Sequence, residues 1–197
     1  MTPIILASTS ASRAALLRGA GVNFAVIAPD VDEQVWKDQL LARGASPGGI
    51  AAALADQKAT AVSHGAPGLV IGADQTLDVD GRLYDKTRSL AETRARLAML
   101  RGRPHSLHTA ATVARDGGVL WRASAEAILT VRRFSDDFLE RYLRSQGEAL
   151  TASVGAYHLE GLGAQLFESV QGDYFSILGL PLISLLGFLR EAGGLAK

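Results

Sequence analysis

No cysteine occurs among the 197 residues. That excludes disulfides, thiolate metal ligands and thiol nucleophiles, and the missing disulfides fit a reducing compartment such as the cytoplasm. An excess of charge of either sign is also missing: 20 basic residues balance 20 acidic ones. No global field gathers nucleic acid or an anionic membrane, so any anion has to be met by a local pocket. Aromatic residues make up only 6%, and no basic stripe interleaved with aromatics suggests a nucleic-acid surface. Long apolar runs are absent as well. The longest, Ile177–Leu189, is broken by Gly179, Pro181 and Gly187, short of the roughly 20 residues of a spanning helix. Met1-Thr2-Pro3 has no basic n-region, and the apolar run Ile4–Ala7 is too short for a signal peptide. What is present, 48% hydrophobic and 20% charged residues without repeats or low-complexity tracts, is the composition of a globular chain able to bury a sizeable core.

Strand and helix signals alternate along the chain. Ile4–Ala7 reads as a strand and Ser12–Gly19 as a helix closed by glycine. Phe24–Ile27 is a short second strand, followed by the acidic loop Asp30-Val31-Asp32-Glu33. Alanine-rich Pro47–His64 is expected to be a helix with Ile50, Leu54 and Val62 inward, and Leu69–Gly72 a strand ending at Ala73-Asp74-Gln75. Asp80-Gly81 suits the tight turn of a hairpin between Leu77–Val79 and Arg82–Tyr84. Leu90–Leu100 is a helix capped by Ser89, with Glu92 three residues on. A second hairpin joins Leu107–Ala114 to Val119–Arg122, with a further strand at Ala125–Arg133 and a helix at Asp136–Gln146. Gly179–Arg190 reads as a C-terminal helix with Pro181 in its first turn. The mixture indicates an α/β fold with a mixed, twisted sheet.

Ile4–Ala7 stops at Ser8-Thr9-Ser10-Ala11-Ser12-Arg13. A strand, a small polar loop and a helix start together present free N–H groups to which the helix dipole attracts an anion. The serine hydroxyls and the fork of Arg13 suit phosphate; the competing reading is that one serine merely caps the helix. Asp74 lies where a buried strand is expected to end, the usual place for functional side chains in open α/β sheets. Glu33 sits in a polar loop, Lys58 on a helix, Lys86 after the first hairpin, and Glu160 in a glycine-flanked loop. Carboxylates hold a hard divalent cation and orient water, while lysine and arginine neutralise phosphate charge, so this inventory suits metal-assisted attack on a nucleotide phosphate. Taken singly, each has a bland alternative: a cap, a solvated charge, a surface ion pair.

The chain resembles the Maf-like nucleoside triphosphate pyrophosphatases from end to end. Four blocks in order carry the resemblance. The first is Leu6-Ala7-Ser8-Thr9-Ser10 with Arg13 and Leu16-Leu17, and the second Pro29-Asp30-Val31-Asp32-Glu33. The third runs from Leu54-Ala55 and Lys58-Ala59 through Ile71-Gly72-Ala73-Asp74-Gln75, Asp80-Gly81 and Lys86 to Arg101-Gly102-Arg103. The fourth is Gly155-Ala156-Tyr157, Glu160-Gly161, Gly172-Asp173-Tyr174 and Gly179-Leu180-Pro181-Leu182. The resemblance implies one domain over residues 1–197, an elongated twisted mixed sheet flanked by helices, and two lobes around a central cleft, an inosine triphosphate pyrophosphatase-like fold. It implies a cytoplasmic enzyme, often a homodimer, that uses Mg or Mn to hydrolyse a nucleoside triphosphate to monophosphate and pyrophosphate. Asp74, Glu33 and Lys86 become the catalytic candidates, with Asp74 and Glu33 on the metal. Ser8, Arg13, Lys58, Gln75 and Glu160 become the substrate-binding candidates.

Two branches compete for the substrate. Thr9, Ser12-Arg13, Gln75 and Glu160 look like the 7-methyl-GTP branch, whereas Tyr157 and Gly172-Asp173-Tyr174 look like the dTTP/UTP branch. Asp85-Lys86-Thr87 replaces the family's usual Gly-Lys-Pro. A non-catalytic nucleotide-binding regulator of septum formation is the alternative, disfavoured because Glu33 and Asp74 are both present; an RNA-binding module is disfavoured by the neutral charge.

Overall fold

The computed structural model describes residues 1–196. Strand β1 (Ile4–Ala7) leads into helix α1 (Ala11–Gly19), then β2 (Ala25–Val26), α2 (Glu33–Ala42), α3 (Pro47–Ser63), β3 (Leu69–Val79) and β4 (Arg82–Tyr84). Helix α4 (Leu90–Leu100) precedes two long strands, β5 (Pro104–Arg115) and β6 (Gly118–Val131), then α5 (Asp136–Gln146). Two 3₁₀ segments, Gly147–Ala152 and Leu162–Leu166, flank the loop that leads to β7 (Phe167–Gln171), and the short α6 (Tyr174–Ile177) and α7 (Leu182–Glu191) close the chain. The strands form a seven-stranded mixed sheet in the order β2-β1-β3-β5-β6-β7, with β4 also paired to β3. Asp80 and Gly81 both have positive φ, as do Asp116 and Gly117, the geometry of tight primed turns that close the two hairpins.

β3 organises the sheet. Along one edge it pairs in parallel with β1 over Leu69–Gly72 and antiparallel with β4 over Leu77–Val79; along the other it runs antiparallel to β5 from Val70 to Asp78. Residues 73–76 therefore have no strand partner on the β1/β4 edge, and the sheet opens there. The buried side chains fall into two main clusters on either side of that opening. One gathers Ile4, Leu6, Leu17, Ile71, Val113 and Leu185, the other Leu77, Leu97, Leu129, Tyr142 and Leu166. These are the two lobes, and the cleft lies between them.

Helix α3 lies on the β3 face that carries Gly72, Asp74 and Thr76. Its inward stripe is Ala51, Leu54, Ala55, Lys58, Ala59 and Val62, the three-and-four spacing of a buried face. Gly72 allows the approach: a Cβ there would stand 2.3 Å from the Ala55 carbonyl oxygen and 2.5 Å from the Ala59 nitrogen. Both neighbours are backbone, so nothing larger than glycine fits without moving the helix.

Several expectations need correction. Asp74 does not end a strand. The parallel pairing with β1 stops at Gly72, but the strand continues to Val79 because β5 pairs with it throughout. Glu33 is not in a loop; it is the first residue of α2, whose N-cap Asp32 accepts a hydrogen bond from the Val35 N–H. That helix buries no residue fully, so it has no apolar period to reveal it. Val119–Arg122 and most of Ala125–Arg133 are parts of the single strand β6, which ends at Val131. Pro181 is the N-cap of α7 rather than a first-turn residue, consistent with the restriction a proline imposes on the residue before it. The edge strand β7 and the short α6 were not anticipated. Among the described residues no helix is long and apolar enough to cross a membrane.

Candidate active site

A cleft of about 880 Å³ opens over the unpaired stretch of β3, the volume of a small-molecule site. At its base Lys58, only 5% exposed, reaches from α3 to two carboxylates: its Nζ lies 2.6 Å from Asp74 Oδ1 and 2.9 Å from Glu33 Oε1. Each partner comes from a different element, and the sequence explains the convergence. Lys58 interrupts an apolar helix stripe, so it is driven inward, and Asp74 shares the β3 face that Gly72 brings against that helix. Glu33 is set by the start of α2. A buried ammonium needs such partners, because an unpaired charge in this position is costly. Burial acts to raise the pKa of Glu33, but attraction to Lys58, reinforced by Lys37 and Lys86, outweighs it and holds the carboxyl below its ordinary range.

The loop after β1 forms the neighbouring wall. Ser10 caps α1, accepting from the Arg13 N–H, and Ser8 Oγ accepts from the Ser10 N–H. The capping reading of this serine cluster therefore holds, and it does not displace the anion reading, since the same loop lines the cleft. Arg13 donates through Nε to the Gly179 carbonyl at 3.0 Å and through Nη1 to Ser8 Oγ at 3.2 Å. Gly179 has φ +111°, and a Cβ on it would press within 3.2 Å of Arg13 Nε. Loss of hydration lowers the pKa of Arg13, partly offset by Asp74 and Glu33. Lys86 faces the same space and is lowered too, by partial loss of hydration and by repulsion from Arg13.

Gln75 and Asp74 are neighbours in sequence but alternate faces of β3. The Gln75 side-chain amide donates to Thr109 Oγ1 at 2.7 Å and to the Ser176 and Ile177 carbonyls at 3.0 Å. It ties the turn before Gly179 to the sheet. Glu160 sits exposed at the lip of the opposite wall, on the loop that runs from Ser153 past Tyr157. Tyr157 anchors that loop: its hydroxyl meets His105 Nε2 at 2.6 Å beneath the cleft, and its ring packs edge-on against Phe167. Burial pushes His105 down to about 4. The structure thus gathers Ser8, Arg13, Glu33, Lys58, Asp74 and Lys86 at one end of the cleft and leaves Glu160 at the far wall.

Lys37, Asp85, Arg88 and Tyr157 also line the cleft and were not singled out as site residues from sequence. Lys37 stands four residues after Glu33, one helical turn away on the same face; the helix that relates them was the missing signal. Among the described residues, no group of three or more His, Asp or Glu side chains gathers to hold a metal ion by protein ligands alone. Asp74 and Glu33 form a two-carboxylate set, the kind that holds Mg²⁺ when substrate phosphates supply further oxygens.

A family model described as "Maf-like protein" matches residues 3–192. The chain is 56% identical over 195 residues to a nucleoside triphosphate pyrophosphatase of Caulobacter vibrioides, covering 99% of this chain and 98% of the other. It is 50% identical over 198 residues to a nucleoside triphosphate pyrophosphatase of Maricaulis maris, covering 100% of both. It is also 47% identical over 193 residues to a 7-methyl-GTP pyrophosphatase of Rhizobium meliloti, covering 98% of this chain and 97% of that one.

Proposed function

The chain belongs to the Maf-like protein family, and on that premise we propose that it is a nucleoside triphosphate pyrophosphatase. The observation that carries the proposal is the convergence of Arg13, Lys58 and Lys86 with Asp74 and Glu33 in one cleft. The cations come from a loop–helix junction, a buried helix face and the loop after a hairpin, so three separate segments contribute positive charge to one cleft. Arg13 and Lys86 repel one another there, a cost that a bound polyphosphate relieves.

The reaction is hydrolysis of the α–β anhydride. A water oxygen attacks phosphorus beside the bridge, the P–O bond to the bridging oxygen breaks, and pyrophosphate leaves with the electron pair. Asp74, rigidly held on β3, accepts the proton from water; Glu33 is the second carboxylate. Arg13 and Lys86 follow the negative charge as it moves onto the leaving pyrophosphate. Ser8 and the N–H groups of residues 8–13 cradle the phosphates, and Lys58 holds the two carboxylates in place while facing the substrate.

A divalent cation, Mg or Mn, fits Asp74 and Glu33 and supplies charge neutralisation on the phosphate oxygens. The charge balance of the lining supports this. Arg13, Lys37, Lys58, Lys86 and Arg88 face Glu33, Asp74, Asp85 and Glu160, leaving one net positive charge against a multiply charged triphosphate.

For the base, Glu160 is the carboxylate on the far wall, and its acceptor-only group suits the N–H edge and positive ring of 7-methylguanine better than the carbonyls of uracil. Gln75 acts instead through the 176–179 turn. A cytoplasmic location and a homodimeric state are what the family resemblance supports. Release of pyrophosphate, measured over a panel of normal and modified nucleoside triphosphates with Mg²⁺ or Mn²⁺, tests the reading. Monophosphate and pyrophosphate are the expected products; no release from any of them overturns it.

A further inference from the structure

Lys86 has fixed neighbours on both sides. Before it, the Asp85 carboxylate meets Lys37 Nζ of α2 at 2.6 Å, and the Asp85 carbonyl accepts from Arg96 Nη2 at 3.1 Å. After it, buried Thr87 shares a 2.7 Å hydrogen bond with Thr93, and the Arg88 N–H is taken by Glu92. Arg96 does more than hold Asp85. Its other terminal nitrogen donates to the Val154 carbonyl at 3.0 Å, and its guanidinium lies 4.7 Å over the Tyr84 ring. One guanidinium therefore joins the loop bearing Lys86 to the loop bearing Tyr157 and Glu160. One carboxylate joins the same loop to the helix bearing Glu33. The Lys37 side chain is only 18% exposed although its partner is 55% exposed, and both residues line the cleft, so the pair sits at its solvent-facing edge.

We propose that Lys37, Asp85 and Arg96 form a polar strap across the cleft mouth, and that Asp85 and Lys37 are positioning residues that set Lys86 against Glu33 for hydrolysis. The proposal rests on the pyrophosphatase reading of the same cleft. As a surface ion pair the contact contributes little to stability. Its effect is geometric: the strap fixes the separation of two groups that act on the same phosphates, and misplacement of about 1 Å at such a site costs up to about 10²-fold in rate.

The test is a double-substitution cycle in the full-length protein: Asp85→Asn, Lys37→Met and both together. Kinetics of pyrophosphate release use whichever triphosphate wild type hydrolyses best. Asp85→Asn is expected to lower kcat by about tenfold with little change in KM, Lys37→Met by at least as much because it also removes a cation that holds Glu33 ionised, and the double variant to be no worse than Lys37→Met, because the contact is then already lost. Additive losses, or single variants within twofold of wild type, overturn the strap. Asp85→Glu, which keeps the carboxylate, is expected to recover most of the rate; failure to do so also counts against it. Trp36, beside Lys37 on α2, gives a readout independent of turnover. With the second tryptophan removed by Trp121→Phe, the fluorescence of Trp36 on titration with a nucleotide whose α–β bridge resists hydrolysis is expected to respond and to lose at least half of that response when Asp85→Asn is added. If wild type hydrolyses no triphosphate, the reading of the site fails; if it does and the cycle is additive, the strap alone fails.

Discussion

Replacing Asp74 with asparagine exchanges one carboxylate oxygen for an amide at the centre of the site and changes almost nothing in volume. The carboxylate is buried and 2.6 Å from Lys58 Nζ. Removing one partner of a buried pair costs about 3–5 kcal/mol when the other charge is stranded. Here it is not stranded, because Glu33 remains 2.9 Å from the same ammonium and the amide oxygen can still accept a hydrogen bond. The expected loss is therefore about 1–3 kcal/mol, a fall of roughly 2–12 °C in Tm for a chain of this size. Catalysis is expected to fall much further. An amide takes no proton from water and holds a divalent cation weakly, and loss of a positioned acid–base group lowers turnover by about 10²-fold or more, at least about 2.7 kcal/mol of barrier. The assay pairs thermal unfolding with the initial rate of pyrophosphate release at saturating triphosphate and Mg²⁺. A folded Asp74→Asn protein with near wild-type turnover refutes the assignment, and a protein that no longer unfolds cooperatively at any temperature refutes the claim that Glu33 shares the charge of Lys58.

The remaining expectations concern packing, phosphate, pH and base. Gly72→Ala drives a methyl into the α3 backbone, so it is expected to destabilise by about 3 kcal/mol or more and to abolish activity by displacing Lys58; an unchanged Tm refutes the close approach. Arg13→Ala is expected to lower kcat/KM by on the order of 10²-fold and to abolish protection by inorganic phosphate in a thermal-shift titration, while near wild-type kinetics remove Arg13 from the phosphate site. His105 falls from 6.5 to about 4 on folding, so its contribution is complete above pH 6.5 and is lost as the pH falls towards 4, up to about 3 kcal/mol. Urea unfolding of wild type is expected to show that acid decline and His105→Gln to flatten it, equal slopes being the contrary result. Glu160→Gln is expected to shift the kcat/KM ratio of 7-methyl-GTP to UTP by about tenfold towards UTP, and an unchanged ratio means Glu160 does not read the base.

Much of the fold was legible because it is written in local chemistry. Ser89 with Glu92, Asp80-Gly81 and Asp116-Gly117 are short-range instructions, and the structure obeys each of them. The inward stripe Ile50, Leu54, Val62 was legible as well. Lys58, four residues from both Leu54 and Val62, reads on its own as a solvated charge, although the same spacing turns it inward with them, where the structure buries it. Helix α2 was illegible because its packing does not bury a face, leaving only Asp32 as cap and Glu33 in the first turn to announce it. Strand β7 is mostly exposed at the sheet edge and carries no apolar alternation strong enough to stand out.

What the sequence withheld was mainly pairing between distant segments, and the site depends on it. Asp74 was expected at a strand end, and in one sense the parallel sheet does end there: β1 leaves β3 after Gly72 and β4 joins it only at Leu77. The opening between them arises because a parallel and an antiparallel partner occupy the same edge of β3 without meeting. Neither partner's residues encode the gap; it follows from the short length of β1 and the late start of β4. A cleft made in this way places Asp74 on a strand held on its other edge by β5, so the carboxylate is rigid yet open to the cleft. The cations come from segments that border the opening, Arg13 just past β1 and Lys86 just past β4. The positions flanking a break in strand pairing are therefore the ones to search for chemistry in a chain of this kind, and a sequence locates them only as well as it locates the break.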